Sequence, residues 1–266
     1  MIRLDPSDIV AAREGDRAAL AAIVRAAERP VFNLALRMLA NRADAEDATQ
    51  EILIRIVTNL GNLREPDAAG GWAMQIACRH LLGMRRKGRV EAMRLSFEGF
   101  AADLDRGRAP LDQAGLTPAE EKIAIQQVKI GCTLAMLTCL SRSLRMAYIL
   151  GDVMELSDRE AASVLDITPE TYRQRLSRAR KAVVGFVSAT CGIARADNPC
   201  RCASRVVPAL AQGRIAPDSG DTPDAPDPAA LSATIARLEQ GRATVALMRS
   251  NPNFTTDVGQ AVLALL

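Results

Sequence analysis

Three stretches of the chain hold residues able to do chemistry. The first, "ETYRQRLSRARKAV" from Glu170 to Val183, carries Arg173, Arg175, Arg178, Arg180 and Lys181 and no acid after Glu170. Such a run serves either a polyanion or plain solvation. The second, "ADAEDATQEILIRI", holds Asp44, Asp47 and Glu51 at helical spacing. Carboxylates that share a helix face repel one another slightly, so they do little for the helix itself. They suit solvent or a protein partner with a basic surface, and helix spacing without a nearby His is poor for a metal. The third, "CGIARADNPCRC", brings Cys191, Cys200 and Cys202 close together with Arg195, Arg201 and Arg205 around them. Three thiolates can bind zinc with a fourth ligand from elsewhere. They can also form a disulfide, helped by cations that lower thiol pKa, or pack as small apolar residues.

Each stretch needs an element to hold it. At about 100° per residue, Tyr172, Leu176, Ala179, Val183 and Phe186 fall on one face of a helix, with Gln174, Ser177, Arg178 and Lys181 opposite and Arg173 beside them. Upstream, Ser157 and Glu160 form a capping box for a short helix with Ala161, Ala162 and Leu165 inside. Asp166-Ile167 ends that helix, and Thr168-Pro169 caps and opens the next. A short helix, a tight turn and a longer basic helix is the order of a helix-turn-helix, whose second helix enters the major groove by its N-terminal residues. Near that N-terminus stand Glu170, Thr171, Arg173, Gln174 and Ser177. Arg bonds guanine and Gln adenine, while Arg178, Arg180 and Lys181 suit phosphates.

On the acidic stretch, Ala45, Ala48, Ile52 and Ile56 face inward, and Ile54 lies beside the outward carboxylates. Farther on, "GGWAMQIACRHLLGMRRKGR" places Met74, Ala77, Leu81 and Met84 on one face and Gln75, Arg79 and Arg86 on another, with Trp72 at the edge. Trp72, the single Trp of the chain, serves as a core anchor or as a wall beside unstacked bases. His80, the single His, reads as a polar surface residue. Cys78, Cys132 and Cys139 read as core.

The whole chain reads as all-α: 266 residues with 3% aromatics and few runs rich in Val, Ile or Thr. One helix is expected from Asp5-Pro6 through Ile9, Leu20, Ile23 and Val24, a second from Pro30, a third over about 43–60 and a fourth over about 71–87. The expected plan is a helical domain over 1–89, a linker over 90–116, a helix-turn-helix domain over 117–188 opened by the Thr117/Glu120 capping box, and a helical, Cys-containing extension over 189–266. In the extension Asp227-Pro228 caps one helix, and Val258, Val262 and Leu265 mark another. The net charge of +3 is too small for a global argument. There is no P-loop and no nucleophile with a paired base, so the chain is read as a non-enzyme. No apolar run reaches the roughly 18 residues of a membrane span and no signal peptide is evident, which implies a cytoplasmic protein.

In this order, "RPVFNLALRMLANRADAEDATQEILIRI", "WAMQIACRHLLGMRRK" and "LSDREAASVLDITPETYRQRLSRARKAV" resemble an extracytoplasmic-function sigma factor, a promoter-recognition subunit of bacterial RNA polymerase. The resemblance covers residues 5 to 187. It implies two helical domains and the partners core RNA polymerase and promoter DNA, with an anti-sigma factor as a further one. By this resemblance Asp44, Asp47, Gln50, Glu51 and Ile54 bind the polymerase clamp. Trp72, Gln75, Arg79 and Arg86 serve the −10 element. Thr171, Arg173, Gln174, Arg175, Ser177, Arg178 and Lys181 read the −35 element. The sequence departs from the family at Ala69, where an aromatic is usual, and at Glu170, where glycine is usual. The extension after about Thr190 lies outside the pattern and is expected to be regulatory, folded against a DNA-binding domain, with no cofactor or with zinc at its cysteines. A stand-alone helix-turn-helix regulator is the alternative; it leaves the acidic face and Trp72 without a role.

Overall fold

The computed structural model describes residues 2–84, 95–217 and 240–265, without the side chains of 240–243 and 246. The described residues form helices and no named strand; an isolated bridge joins Cys191 and Cys200. None of these helices is long and apolar enough to cross a membrane. Contacts divide the chain into two compact units. One comprises Met1–Met93, Ser141–Ser177 and Asn253–Leu266, the other Arg94–Leu140 and Arg178–Pro252.

The first unit begins with α1 (Pro6–Arg13), α2 (Arg17–Leu39), α3 (Arg42–Thr58) and α4 (Ala69–Gly83). Asp5 caps α1 by accepting the Ser7 N–H at 2.9 Å, with Pro6 in the first turn. The single helix expected from Asp5 through Val24 is two. The chain breaks at Gly15, whose φ of 96° is left-handed, and Asp16 recaps it by accepting the Ala18 and Ala19 N–H groups at 2.7 and 3.2 Å. Nor does a helix start at Pro30, which lies inside α2. An interior proline costs about 3 kcal/mol. Around it Ala27, Val31, Phe32, Leu34 and Ala35 are at most 1% exposed, and each large apolar side chain so buried returns roughly 1.5–3 kcal/mol. Asn41 starts α3 by accepting the Asp44 N–H at 2.9 Å. Ala45, Ala48, Ile52 and Ile56 are buried, as the spacing predicts.

The same unit holds α7 (Arg142–Tyr148), which continues as a wider π turn over Ile149–Val153, then α8 (Asp158–Leu165) and the first part of α9 (Pro169–Thr190). The Ser157/Glu160 capping box is formed. Tyr172 is fully buried and donates its hydroxyl to the Ala147 carbonyl at 3.0 Å. Gly151 lets this ring in: a Cβ there would stand 2.6 Å from the Tyr172 hydroxyl and 3.0 Å from Leu176. The final helix of this unit, α12 (Val258–Ala264), lies against α2 and α3. The Asn33 side chain holds the segment leading to it, donating to the Phe254 carbonyl at 2.9 Å and accepting the Phe254 N–H at 3.0 Å.

The second unit contains α5 (Phe97–Arg106), α6 (Pro118–Thr138), the rest of α9, α10 (Val206–Ala211) and α11 (Gln240–Arg249). Residues 90–116, expected as an irregular linker, thus contain a helix. Its sequence lacks a long apolar period, but Ser96 caps it and Phe97 and Phe100 place their rings 5.1 and 5.3 Å from that of Phe186. Its far end is closed by the extension: the buried Arg205 donates to the Asp103 and Leu104 carbonyls and pairs with the Asp103 carboxylate at 3.1 Å. Ala124 and Val128 of α6 pack with Val206 and Ala209 of α10. Gln127 exchanges two hydrogen bonds with Ala216, at 2.9 and 3.0 Å. Asn251 donates to Thr133 at 2.6 Å. The Asp227-Pro228 helix lies outside the described residues.

Candidate nucleic-acid and polymerase interfaces

The basic helix α9 is anchored from its first turn. Thr168 accepts the Thr171 N–H at 3.2 Å, and the hydroxyls of Thr168 and Thr171 are 2.9 Å apart. Tyr172, Leu176, Ala179 and Val183 are buried on one side. On the other, Arg173, Gln174, Ser177, Arg178 and Lys181 are exposed, while Thr171 and Arg175 are half-buried. The turn before it places Asp166 in the left-handed region, φ 55°, where an Asp or Asn side chain is tolerated better than most. This is a helix-turn-helix with its second helix docked by apolar residues and its cations outward.

The acidic face of α3 also forms. Asp47 and Glu51 are exposed; Asp44, Gln50 and Ile54 are half-buried. Arg55 stands 3.8 Å from Glu51 on the same helix, an arrangement that leaves the carboxylates open to solvent. His80 differs from its reading as a surface residue. Its side chain is only 7% exposed, and its Nε2 is 3.8 Å from Glu51, too far for a hydrogen bond. Burial, with a smaller push from Arg55 and an opposing pull from Glu51, holds its pKa below the ordinary histidine value. No signal in the sequence distinguishes this face of α4 from an exposed one, because the cover comes from elsewhere in the fold.

On α4 itself, Trp72 and Gln75 are half-buried and Arg79 is exposed; Arg86 lies outside the described residues. The departure at Ala69-Gly70 has a packing reason. Ala69 is fully buried, and a Cβ on Gly70 would meet the Ile2 carbonyl oxygen at 2.2 Å. Ile2 crosses here and leaves no room for a side chain at Gly70. Arg79 and Gln75 meet the turn of the helix-turn-helix. Arg79 pairs with Asp166 at 3.1 Å, and Gln75 points its amide at the Ser163 carbonyl at 3.5 Å. Nothing in the sequence ties these positions together.

The cysteines of the extension sit in a loop after α9. Gly192 donates to the Cys200 carbonyl at 3.0 Å, and Asn198 donates to Ser188 and Cys191 carbonyls at 3.0 and 3.1 Å. Cys191, Cys200 and Cys202 are half-buried free thiols, as is Cys132, while Cys78 is buried. At Cys200 and Cys202 the expected lowering of the thiol pKa by neighbouring cations is not met. Arg205, Arg108 and Arg201 do pull Cys200 down, but desolvation outweighs them and its thiol is raised. Burial pushes Cys202 up to about 12 and raises Cys132 well above the ordinary value. Among the described residues no group of three or more His, Cys, Asp or Glu is arranged to hold a metal ion.

Comparison with known proteins matches these two regions separately. The Sigma-70 region 2 model matches residues 23–90, which hold α3 and α4. The Sigma-70, region 4 model matches residues 130–183, which hold the helix-turn-helix. The ECF RNA polymerase sigma factor SigE of Mycolicibacterium smegmatis is 32% identical over 179 residues, 65% of this chain and 65% of that protein. The probable RNA polymerase sigma factor RfaY of Xanthomonas campestris pv. campestris is 27% identical over 172 residues, 65% of this chain and 41% of that protein. The RNA polymerase sigma-H factor of Pseudomonas aeruginosa is 25% identical over 176 residues, 64% of this chain and 87% of that protein. The chain thus spans less than two thirds of the length of the first two. CnrH, solved in complex with the cytosolic domain of CnrY, shares the fold at a TM-score of 0.50 and 18% identity, over 70% of this chain and 98% of that one.

Proposed function

We propose that the chain, which matches Sigma-70 region 2 and region 4 in that order, is an extracytoplasmic-function sigma factor that binds core RNA polymerase and directs it to specific promoters. The observation that carries this reading is the coexistence of two outward faces of opposite charge. One is the Asp47/Glu51 face of α3; the other is the Arg173/Gln174/Arg178/Lys181 face of α9. A stand-alone DNA-binding protein needs only the second. Asp44, Asp47, Gln50, Glu51 and Ile54 contact the polymerase clamp. Trp72, Gln75 and Arg79 contact the opened −10 strand, where an aromatic wall and a cation suit unstacked bases. Thr171, Arg173, Gln174, Arg175 and Ser177 read the −35 duplex, with Arg178 and Lys181 on phosphates. The polymerase performs the chemistry. A protein antagonist of the anti-sigma kind is a further proposed partner, supported by the fold shared with CnrH, which was solved with the cytosolic domain of CnrY.

Co-elution with core polymerase tests the reading. The full chain is expected to co-elute, and the double change Asp47→Lys, Glu51→Lys to abolish co-elution while leaving duplex DNA binding in place. Duplex binding with no co-elution by the unaltered chain would favour a stand-alone regulator.

The extension is proposed to regulate this activity. Its last segment is held on α2 by the Asn33 amide, by the Arg37 guanidinium 6.0 Å from the Phe254 ring centroid, and by Glu28, which accepts the Gly259 N–H at 2.6 Å. Phe254→Ala is expected to raise protease sensitivity of residues 253–265 and to change transcription output. Output identical to that of the unaltered chain, with the segment released, would leave the extension without a regulatory role.

A further inference from the structure

Four cysteines of the second unit come from three separate segments. Cys132 lies on α6, Cys191 follows the last residue of α9, and Cys200 and Cys202 stand at the end of the loop that follows. The isolated bridge sets Cys191 opposite Cys200, and a Cβ on Gly192 would stand 2.5 Å from the Cys200 carbonyl oxygen, so the turn requires glycine. Burial, followed by the charges of Cys202, Cys191 and Cys200, raises the Cys132 thiol; burial, followed by Cys191 and Cys200, raises that of Cys202. The four thiols are thus close enough to act on one another. No residue from 191 to 202 is buried, so the loop has no apolar core of its own and needs another tie. One helical turn before Cys132, Lys129 is 2% exposed, and its Nζ has no hydrogen-bond partner among the described residues. Burial disfavours its charge and Cys202 favours it. A buried ammonium without an anion is costly. Protonated thiols supply no anion, whereas thiolates held on a metal ion do.

We propose that Cys132, Cys191, Cys200 and Cys202 form a structural zinc site with Lys129 as its charge-compensating neighbour. The proposal stands apart from the sigma reading. Four thiolates around one ion make the closed tetrahedral set of structural zinc, with Zn–S bonds of about 2.3 Å. As the side chains stand, no three of them are arranged to hold an ion; binding turns the sulfurs inward about χ1. Each thiol gives up its proton to solvent as it binds, and the resulting tetrathiolate is doubly negative. The ion removes the repulsion that raises the thiols, and Lys129 offsets part of the remaining charge. Arg205 also acts on Cys132 and Cys200, but it is paired with Asp103 at 3.1 Å. Lys129 is the buried cation left to the site. A disulfide fits these residues less well, because it would use two of the four thiols and leave Lys129 without an anion. The ion would tie α6 to the end of the basic helix and to the segment that leads into α10, where the apolar contact of Ala124 and Val128 with Val206 and Ala209 is small.

The test uses the full chain prepared with reductant, Zn2+ as the probe, and the variants Cys132→Ser, Cys202→Ser, Lys129→Met and Cys139→Ser. The readouts are metal content after dialysis, zinc affinity by competition with a chromophoric chelator, and the visible spectrum of the Co2+-substituted chain. The unaltered chain is expected to retain about one zinc ion, and its Co2+ form to show the intense d–d bands of tetrahedral thiolate coordination. Lys129→Met should weaken zinc binding by about ten- to a hundredfold, the range of residues just outside the ligands. Cys132→Ser and Cys202→Ser should weaken it by more than that, and Cys139→Ser, on or beside the same helix, should change nothing. Should a ligand variant fail to fold, alkylation of the unaltered chain decides: Zn2+ should protect Cys132, Cys191, Cys200 and Cys202 and leave Cys139 as reactive as before. No bound metal, with all thiols free or with two of them lost to a disulfide, would overturn the site. Iron in place of zinc would overturn the choice of ion. Full affinity in Cys132→Ser would overturn the four-ligand set, and full affinity in Lys129→Met would overturn the charge-compensating role.

Discussion

Helices α9 and α4 share a design, with one apolar face buried and one basic face turned outward, yet they present those outward faces differently. On α9, Arg173, Gln174, Arg178 and Lys181 stand exposed. On α4, Arg79 is paired with Asp166 and Gln75 points at Ser163. The difference teaches that an amphipathic pattern establishes which side of a helix is buried but not whether its polar side is open to a ligand. Availability depends on which other element reaches those tips. Changes on the outer face of α9 are expected to act on DNA binding directly, whereas changes at Arg79 of α4 are expected also to alter its contact with the turn before α9.

The largest effect is expected where α9 is anchored. Tyr172→Ala removes a fully buried ring and its hydrogen bond to Ala147. It should cost about 3–5 kcal/mol in thermal or denaturant unfolding and abolish duplex binding. A stable variant that still binds duplex would mean that α9 does not depend on this anchor, and the contrast between its two faces would fail.

Smaller effects separate roles along the outer face. Gln174→Ala should change sequence preference, with about 1–3 kcal/mol lost at one base position of a selected site. Arg178→Ala should weaken binding to every duplex alike and flatten the log-affinity against log-salt slope by about one unit. Losses that are the same on all sequences for both variants would erase the distinction between base-reading and phosphate positions.

The smallest effect concerns α4. Burial keeps the His80 pKa below its ordinary value, so the unfolded chain takes up the proton more readily than the folded one. His80 therefore contributes stability above its unfolded pKa of about 6.5. That contribution declines as pH falls from about 7 towards the lowered folded value. His80→Gln should flatten this part of the stability–pH curve. A variant curve parallel to the original between pH 7 and 5 would show that the ring is solvated, and that this side of α4 is as open as α9.

Much of the fold is legible in local signals. Asp5-Pro6, Thr117/Glu120, Ser157/Glu160 and Thr168-Pro169 each mark a helix start that forms, because caps are satisfied by neighbours in sequence. The inward faces of α3 and α9 follow from spacing for the same reason. The break at Gly15-Asp16 carries a local signal of its own, a glycine followed by a capping acid. Pro30 misleads because burial across α2 outweighs a local penalty. The helix α5 in the stretch read as a linker is held by Phe186 and Arg205, both far away in sequence. The cover over His80 and the partner of Arg79 likewise come from distant segments, and no periodicity encodes them. The compact units themselves, in which Ser141–Ser177 groups with the first four helices, follow long-range contacts rather than the order of the sequence regions.

The most direct test of the central claim is in vitro transcription by core polymerase supplied with the full chain, over a library of promoter sequences. Initiation confined to templates that share two elements, one near −10 and one near −35, is the predicted result. Stimulation of no template, by a chain that still binds duplex DNA through α9, would contradict it.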